Sequence, residues 1–272
     1  MADTSDQDYA ALYDRHLRGR WDEPVGDNLL RCLEIRQGTT CLVADCRTGY
    51  ACDLVLSAAQ GRVRVMAVDP SRAMLDTARE SVVQSSSSSV FFNCQSTDSL
   101  TYADGVFGMV LCLSMPLVRN EFETVARELL RVVRMGGSVV VAGPTAGSLS
   151  VFNDMVLESA RCQDDVALFH SASNFVGNLV NTGVMETILT ELGAKIVAQD
   201  SLRLELPVVS TRDLLRDPLV KRWYAPLWES AFERQGQRDS LFADALKRTS
   251  TYFSGIDFDH QITASWFSLR KD

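Results

Sequence analysis

At 272 residues, with 46% hydrophobic and 23% charged content, the chain has room for one large globular domain with an inserted or appended subdomain. A net charge of −8 and a pI near 5.0 argue against nucleic acid as the main partner, because phosphate backbones need a concentrated basic surface. No apolar run approaches the roughly 20 residues of a membrane span, and the start, MADTSDQDYAALYDRHLRGRW, is acidic and polar without a signal-peptide core, so a cytoplasmic protein is expected.

In chain order, Tyr9, Leu12, Tyr13 and Leu17 recur at helical spacing over residues 8–18. This helix either closes over a ligand as a lid or packs on the domain edge. A second amphipathic helix is expected from Asp27 to Ile35, stopped by Gly38. Cys41 to Ala44 is a short apolar run of buried-strand type, broken at Thr48-Gly49 before a helical pattern from Ala51 to Ala59. Val63 to Val68 is the next strand and ends in Asp69, an acidic residue at the carboxyl end of a strand one βαβ unit after a glycine turn. Such carboxylates accept hydrogen bonds from ribose hydroxyls, so a nucleotide-type ligand is expected at the turn. Pro70-Ser71 then opens a helix whose Met74, Leu75, Ala78 and Val82 face the sheet.

Ser85 to Ser89 is low-complexity and reads as an exposed loop. Val90 to Phe92 is a third strand and Val106 to Leu113 a buried fourth. Phe122 to Arg134 has the clearest helical periodicity in the chain, closed by Met135-Gly136-Gly137. Ser138 to Ala142 is a fifth strand. Residues 148–192 read as helical segments with loops at 163–165 and 171–174, forming a cover over the sheet, and residues 214–246 as a helical extension of it. Lys195 to Val197 and Leu202 to Leu206 look like further strands, and Ile262 to Leu269 like a last one. Seven cysteines without CxxC spacing behave as reduced small hydrophobes, and no metal-ligand spacing is present.

The stretch from Thr39 to Glu80, with AVDPSRAMLDTARE as its most family-like piece, resembles the cofactor-binding half of a class I S-adenosylmethionine (SAM)-dependent methyltransferase, type 11-like. DSLTYADGVFGMVLC and ELLRVVRMGGSVVVAGP continue the resemblance in family order. It implies an α/β fold: a Rossmann-like, doubly wound, mostly parallel seven-stranded sheet with an antiparallel last strand and a helical cover. Residues 1–147 would be the cofactor-binding half with its N-terminal lid helix and 148–193 the helical cover. Residues 194–272 would supply the C-terminal strands of the same sheet with a helical insertion. The implied cofactor is SAM, held by Asp45, Gly49, Asp69, Pro70, Ser96, Thr97 and Leu113.

The first motif is degenerate. Aligning Gly49 with the last glycine of the family turn places Val43 at the acidic position and Asp45 and Arg47 at the first two glycines; Ser96 and Gly108 replace aspartates further on. Asp45 would either bind the cofactor's ammonium group or pair with Arg47 and fill the pocket. Methyl transfer depends largely on holding donor and acceptor in line, so no catalytic residue is assigned; His16, His170 and Glu186 are the general-base candidates. Two functions follow. One is methyl transfer from SAM to a small-molecule or protein acceptor. The other is a catalytically inactive pseudo-methyltransferase whose closed or altered pocket leaves it as a scaffold or regulatory binding protein.

Overall fold

The structure, a computed structural model, describes residues 6–59, 62–82, 89–163, 165–206, 211–232, 234–252 and 260–272. Its centre is a seven-stranded sheet: β1 (Thr40–Ala44), β2 (Arg64–Asp69), β3 (Ser89–Cys94), β4 (Phe107–Cys112), β5 (Val133–Pro144), β6 (Ala194–Glu205) and β7 (Gln261–Lys271), in the order β3-β2-β1-β4-β5-β7-β6. The first five are parallel, and β7 runs antiparallel between β5 and β6. β1 lies between β2 and β4, with Val43 opposite Ala67 on one side and Leu111 on the other. Helices cover both faces, which is why its residues form an unbroken apolar run instead of alternating.

Helices α1 (Asp6–His16) and α2 (Asp22–Leu29) precede the sheet. Then α3 (Tyr50–Ala58), α4 (Arg72–Ser81) and α5 (Arg119–Val132) make the crossovers. Ser71 caps α4 by accepting the Met74 N–H, and α5 buries Phe122, Val125, Ala126, Leu129 and Leu130 on one face. The later helices are α6 (Ser150–Cys162), α7 (Val166–Gly177), α8 (Thr182–Glu191), α9 (Thr211–Leu214), α10 (Pro218–Trp223), α11 (Ala225–Ala231) and α12 (Gln235–Tyr252). Aromatic packing ties this group together: Phe152 of α6 stacks edge-on against Trp228 of α11 and Phe242 of α12. Among the described residues no helix is long and apolar enough to cross a membrane.

Several local expectations change. The helix expected over residues 27–35 is α2, beginning at Asp22 with Pro24 in its first turn, where proline is tolerated; a single 3₁₀ turn follows and Leu33 is already extended. The helix α5 ends at Val132 and not at Arg134, because Val133 already pairs with Phe107 of β4. No loop interrupts residues 171–174: α7 runs through them, burying Leu168, Ala172 and Phe175 at helical spacing. The two strands expected near 195 and 202 are one strand, β6, with an irregularity between Ile196 and Ala198. As an edge strand it carries polar Gln199, Asp200 and Ser201 without loss. Of the serine run, only Ser89 lies within the described residues, where it opens β3.

Candidate functional site: a crevice with one end filled

The strand order reverses between β1 and β4. In an open α/β sheet, ligands sit outside the carboxyl ends of the strands at that switch point. The turn leaving β1 keeps a backbone suited to glycine although two of its residues are not glycine: φ is +51° at Asp45, +51° at Arg47 and +101° at Gly49. Left-handed backbone costs an L-residue about 1–2 kcal/mol, somewhat less for aspartate. Gly49 has no alternative, since a Cβ there would stand 2.5 Å from Val82 Cγ2.

This backbone directs the Arg47 side chain into the crevice, where it is almost fully buried. One guanidinium nitrogen, Nη1, donates to Asp22 Oδ1 at 2.8 Å and to the Tyr13 hydroxyl. Nε lies 3.6 Å from Asp45 Oδ2. The guanidinium carbon sits 5.0 Å from the centre of the Tyr13 ring and 5.5 Å from that of Trp223. Two carboxylates and two aromatic faces thus enclose one cation, a strong arrangement away from water. Beside it the Trp21 indole N–H donates to the Leu113 carbonyl at 2.8 Å and stacks on Trp223 at 4.4 Å. Both tryptophans close the space over the end of β4.

Asp69 turns toward the protein. Its Oδ2 accepts the Arg47 backbone N–H and its Oδ1 the Ser71 N–H, both at 2.9 Å. Burial, followed by the neighbouring Asp45 charge, pushes its carboxyl up to about 7. Burial also acts on Asp45, but the Arg47 and Arg222 guanidiniums outweigh it and hold that carboxyl below its ordinary value. Within the pair, Asp45 is the first to ionise and Asp69 gives up its proton only as pH rises through about 7. Asp22 moves the other way from Asp45: burial raises it in spite of Arg47.

The other end of the crevice is open. A cavity of about 440 Å³ runs from Asp45 past Pro70, Ser96, Thr97 and Asp98 to Leu117 and α5, roofed by Arg222 and Trp223 of α10 and by Pro226 and Leu227 of α11. Thr97 is buried there and its hydroxyl has no hydrogen-bond partner.

Residues 43–137 match the methyltransferase domain family, over the strands and turns that build this crevice. Over those residues the chain has the pattern of a methyltransferase domain. No curated protein matches the chain by sequence. Among solved structures it is similar to a candidate methyltransferase of Bacillus halodurans C-125, at 13% identity and a TM-score of 0.58 over 90% of this chain and 98% of the other. It is also similar to a loganic acid methyltransferase solved with SAH, at 11% identity and a TM-score of 0.58 over 100% and 98%. A candidate SAM-dependent methyltransferase of Listeria monocytogenes gives 13% and 0.51 over 92% and 99%. At these identities the likeness is one of fold.

Of the residues expected to hold a cofactor in this methyltransferase domain, Asp45, Pro70, Ser96 and Thr97 line the cavity. Gly49, Asp69 and Leu113 do not: Gly49 packs on α4, Asp69 serves backbone N–H groups, and the Leu113 carbonyl is taken by Trp21. His16, His170 and Glu186 are exposed on α1, α7 and α8, away from the cavity. The roof comes from residues 222–227 and not from 148–192, because the aromatic contacts of α6 bind that segment to α11 and α12. The sequence reading missed Asp22 and Trp223; the only advance signal was an unusual density of tryptophan and charge at Arg20-Trp21-Asp22-Glu23 and Lys221-Arg222-Trp223.

The residues at the turn do not suit an intact SAM: the stretch that the resemblance assigns to this cationic cofactor carries the buried, like-charged Arg47 guanidinium, and Asp69, only 3% exposed, does not line the cavity.

Proposed function

We propose that the chain is a methyltransferase-fold binding protein, a pseudo-methyltransferase whose own Arg47 stands where the cationic part of SAM would lie. The observation that carries this is the enclosure of Arg47 by Asp22, Asp45, Tyr13 and Trp223. A tethered side chain competes with a free ligand at a high effective concentration, on the order of millimolar or above. Withdrawing it would leave buried Asp22 without a cation and Asp45 with Arg222 alone. The remaining cavity, with the Thr97 hydroxyl unpaired among the described residues and walls that carry apolar, acidic and basic groups, suits a small molecule lacking the donor's methionine portion.

A second reading, methyl transfer from SAM to a small acceptor after Arg47 swings out, has its own support. The turn keeps its three left-handed residues, and Pro70, Ser96 and Thr97 still line a cavity at the strand ends. Calorimetric titration separates the two. The wild-type protein is expected to bind neither SAM nor SAH up to millimolar concentration, while Arg47→Gly, which removes the side chain and suits the backbone, gains affinity for both. Micromolar binding by the wild type would overturn the first reading and establish the second.

A further inference from the structure

At the opposite end of the sheet, where β1, β4 and β5 begin, a polar pocket of about 420 Å³ is lined by Arg36, Arg134 and Arg270 together with Gly38, Gly108 and Gly136. Two of the arginines have neighbours that are not acids. Arg270 Nη1 donates to the Gly136 carbonyl at 3.0 Å. Arg134 lies over Gly108, where a Cβ would be in ordinary contact with its Nη2 at 3.5 Å and its Nε at 3.6 Å. Thr39 fixes the third side by donating through both its N–H and its hydroxyl to the Arg36 carbonyl. Among the described residues none of the three forms an ion pair, and the one acid on the wall, Glu34, pairs with none of them. In a chain of net charge −8, three unneutralised guanidiniums around one concavity are an uneven use of charge. The glycine at 108, where the methyltransferase resemblance leads one to expect aspartate, fits the same pattern: an aspartate would have neutralised Arg134 and displaced it.

We infer that this pocket is a second ligand site, independent of the crevice, that takes a small multivalent oxyanion through Arg36, Arg134 and Arg270. Guanidiniums bind such groups through paired N–H bonds. The test is calorimetric titration of the full chain at low salt with inorganic pyrophosphate and, separately, with citrate, which distinguishes phosphate from carboxylate chemistry. Saturable binding of one equivalent is expected for at least one of them, weakening as salt is added. Arg134→Gln and Arg270→Gln should each weaken it about tenfold, the loss of a charge-assisted hydrogen bond. Arg72→Gln, an exposed arginine on α4, should not. Circular dichroism and melting curves check that each variant keeps the fold. Absence of binding by both anions at millimolar concentration, or equal weakening by Arg72→Gln and Arg134→Gln, would overturn the inference.

Discussion

The two ends of the crevice over β1 and β4 treat their polar groups in opposite ways. At one end, most groups that face the crevice meet another part of the chain: Arg47 Nη1 meets Asp22 and Tyr13, Asp69 meets the Arg47 and Ser71 N–H groups, and the Leu113 carbonyl meets Trp21, while Arg47 Nε and Nη2 have no hydrogen-bond partner among the described residues. At the other end Pro70, Ser96 and Thr97 face an open cavity, with a buried hydroxyl left unpaired. A ligand site normally leaves polar groups waiting for a partner, and a structural site satisfies them. By that criterion the first end is mostly satisfied within the chain, two Arg47 nitrogens aside, while the second opens its unpaired hydroxyl to a cavity and has the character of a site.

The largest effect should come from removing the cation that closes the filled end. Arg47→Met keeps the length of the side chain and deletes its charge, leaving buried Asp22 with the Tyr13 hydroxyl but no cation and Asp45 with Arg222 alone, 3.8 Å away. Breaking a buried pair in this way costs about 3–5 kcal/mol, to be read as the loss in urea unfolding free energy. Adding Asp22→Leu should restore part of it, since replacing both members of a buried pair by apolar groups is far less costly than removing one. A loss below about 1 kcal/mol for Arg47→Met would mean that the enclosure does not hold this end shut.

A middle-sized effect is expected at the boundary between the ends, where Asp69 keeps its proton. Its folded value of about 7 lies above the ordinary carboxyl value near 3.8 that the unfolded chain would show. The stability it contributes is therefore complete below about pH 4, declines as pH rises through about 7, and is absent above. Asp69→Asn does not titrate, so the stability of the variant relative to wild type should rise between pH 5 and pH 8, by roughly 2 kcal/mol. Melting curves at the two pH values measure it. A constant difference would show that Asp69 is ionised throughout and that the pair shares no proton.

The contrast also explains what could be read in advance. The sheet was legible because buried parallel strands must be apolar on both faces, and Cys41 to Ala44, Val63 to Val68 and Val106 to Leu113 say so without context. The helix α5 was legible from its period. The filled end was not, because its partners are far apart in the chain: Tyr13 and Asp22 lie on the N-terminal segment, Arg47 in the β1 turn and Trp223 on α10. Sequence alone showed that Arg47 stood where glycine was expected, and that Asp45 might pair with it. It could not show the direction of a side chain leaving a left-handed residue. Nor could the roof be assigned, since residues 148–192 and 214–246 are both helical, and only the aromatic packing of Phe152 decides which of them reaches the cavity.

The smallest effect should come from the open end. Thr97→Val exchanges a hydroxyl for a methyl group of nearly equal size at a buried position whose oxygen has no partner. Removing an unsatisfied buried polar atom is neutral or slightly stabilising, so the change in unfolding free energy should stay within about 0.5 kcal/mol of zero or fall on the stabilising side. The same substitution has a second consequence if the hydroxyl serves a ligand: a small molecule bound in the cavity would lose a hydrogen bond and bind about tenfold less tightly to a protein that is no less stable. Stability and binding therefore separate at Thr97, whereas at Arg47 they are opposed, the charge that stabilises the fold being the one that excludes the ligand. A destabilisation above about 1 kcal/mol by Thr97→Val would mean that its hydroxyl already has a partner and that the open end, too, has been taken into the fold.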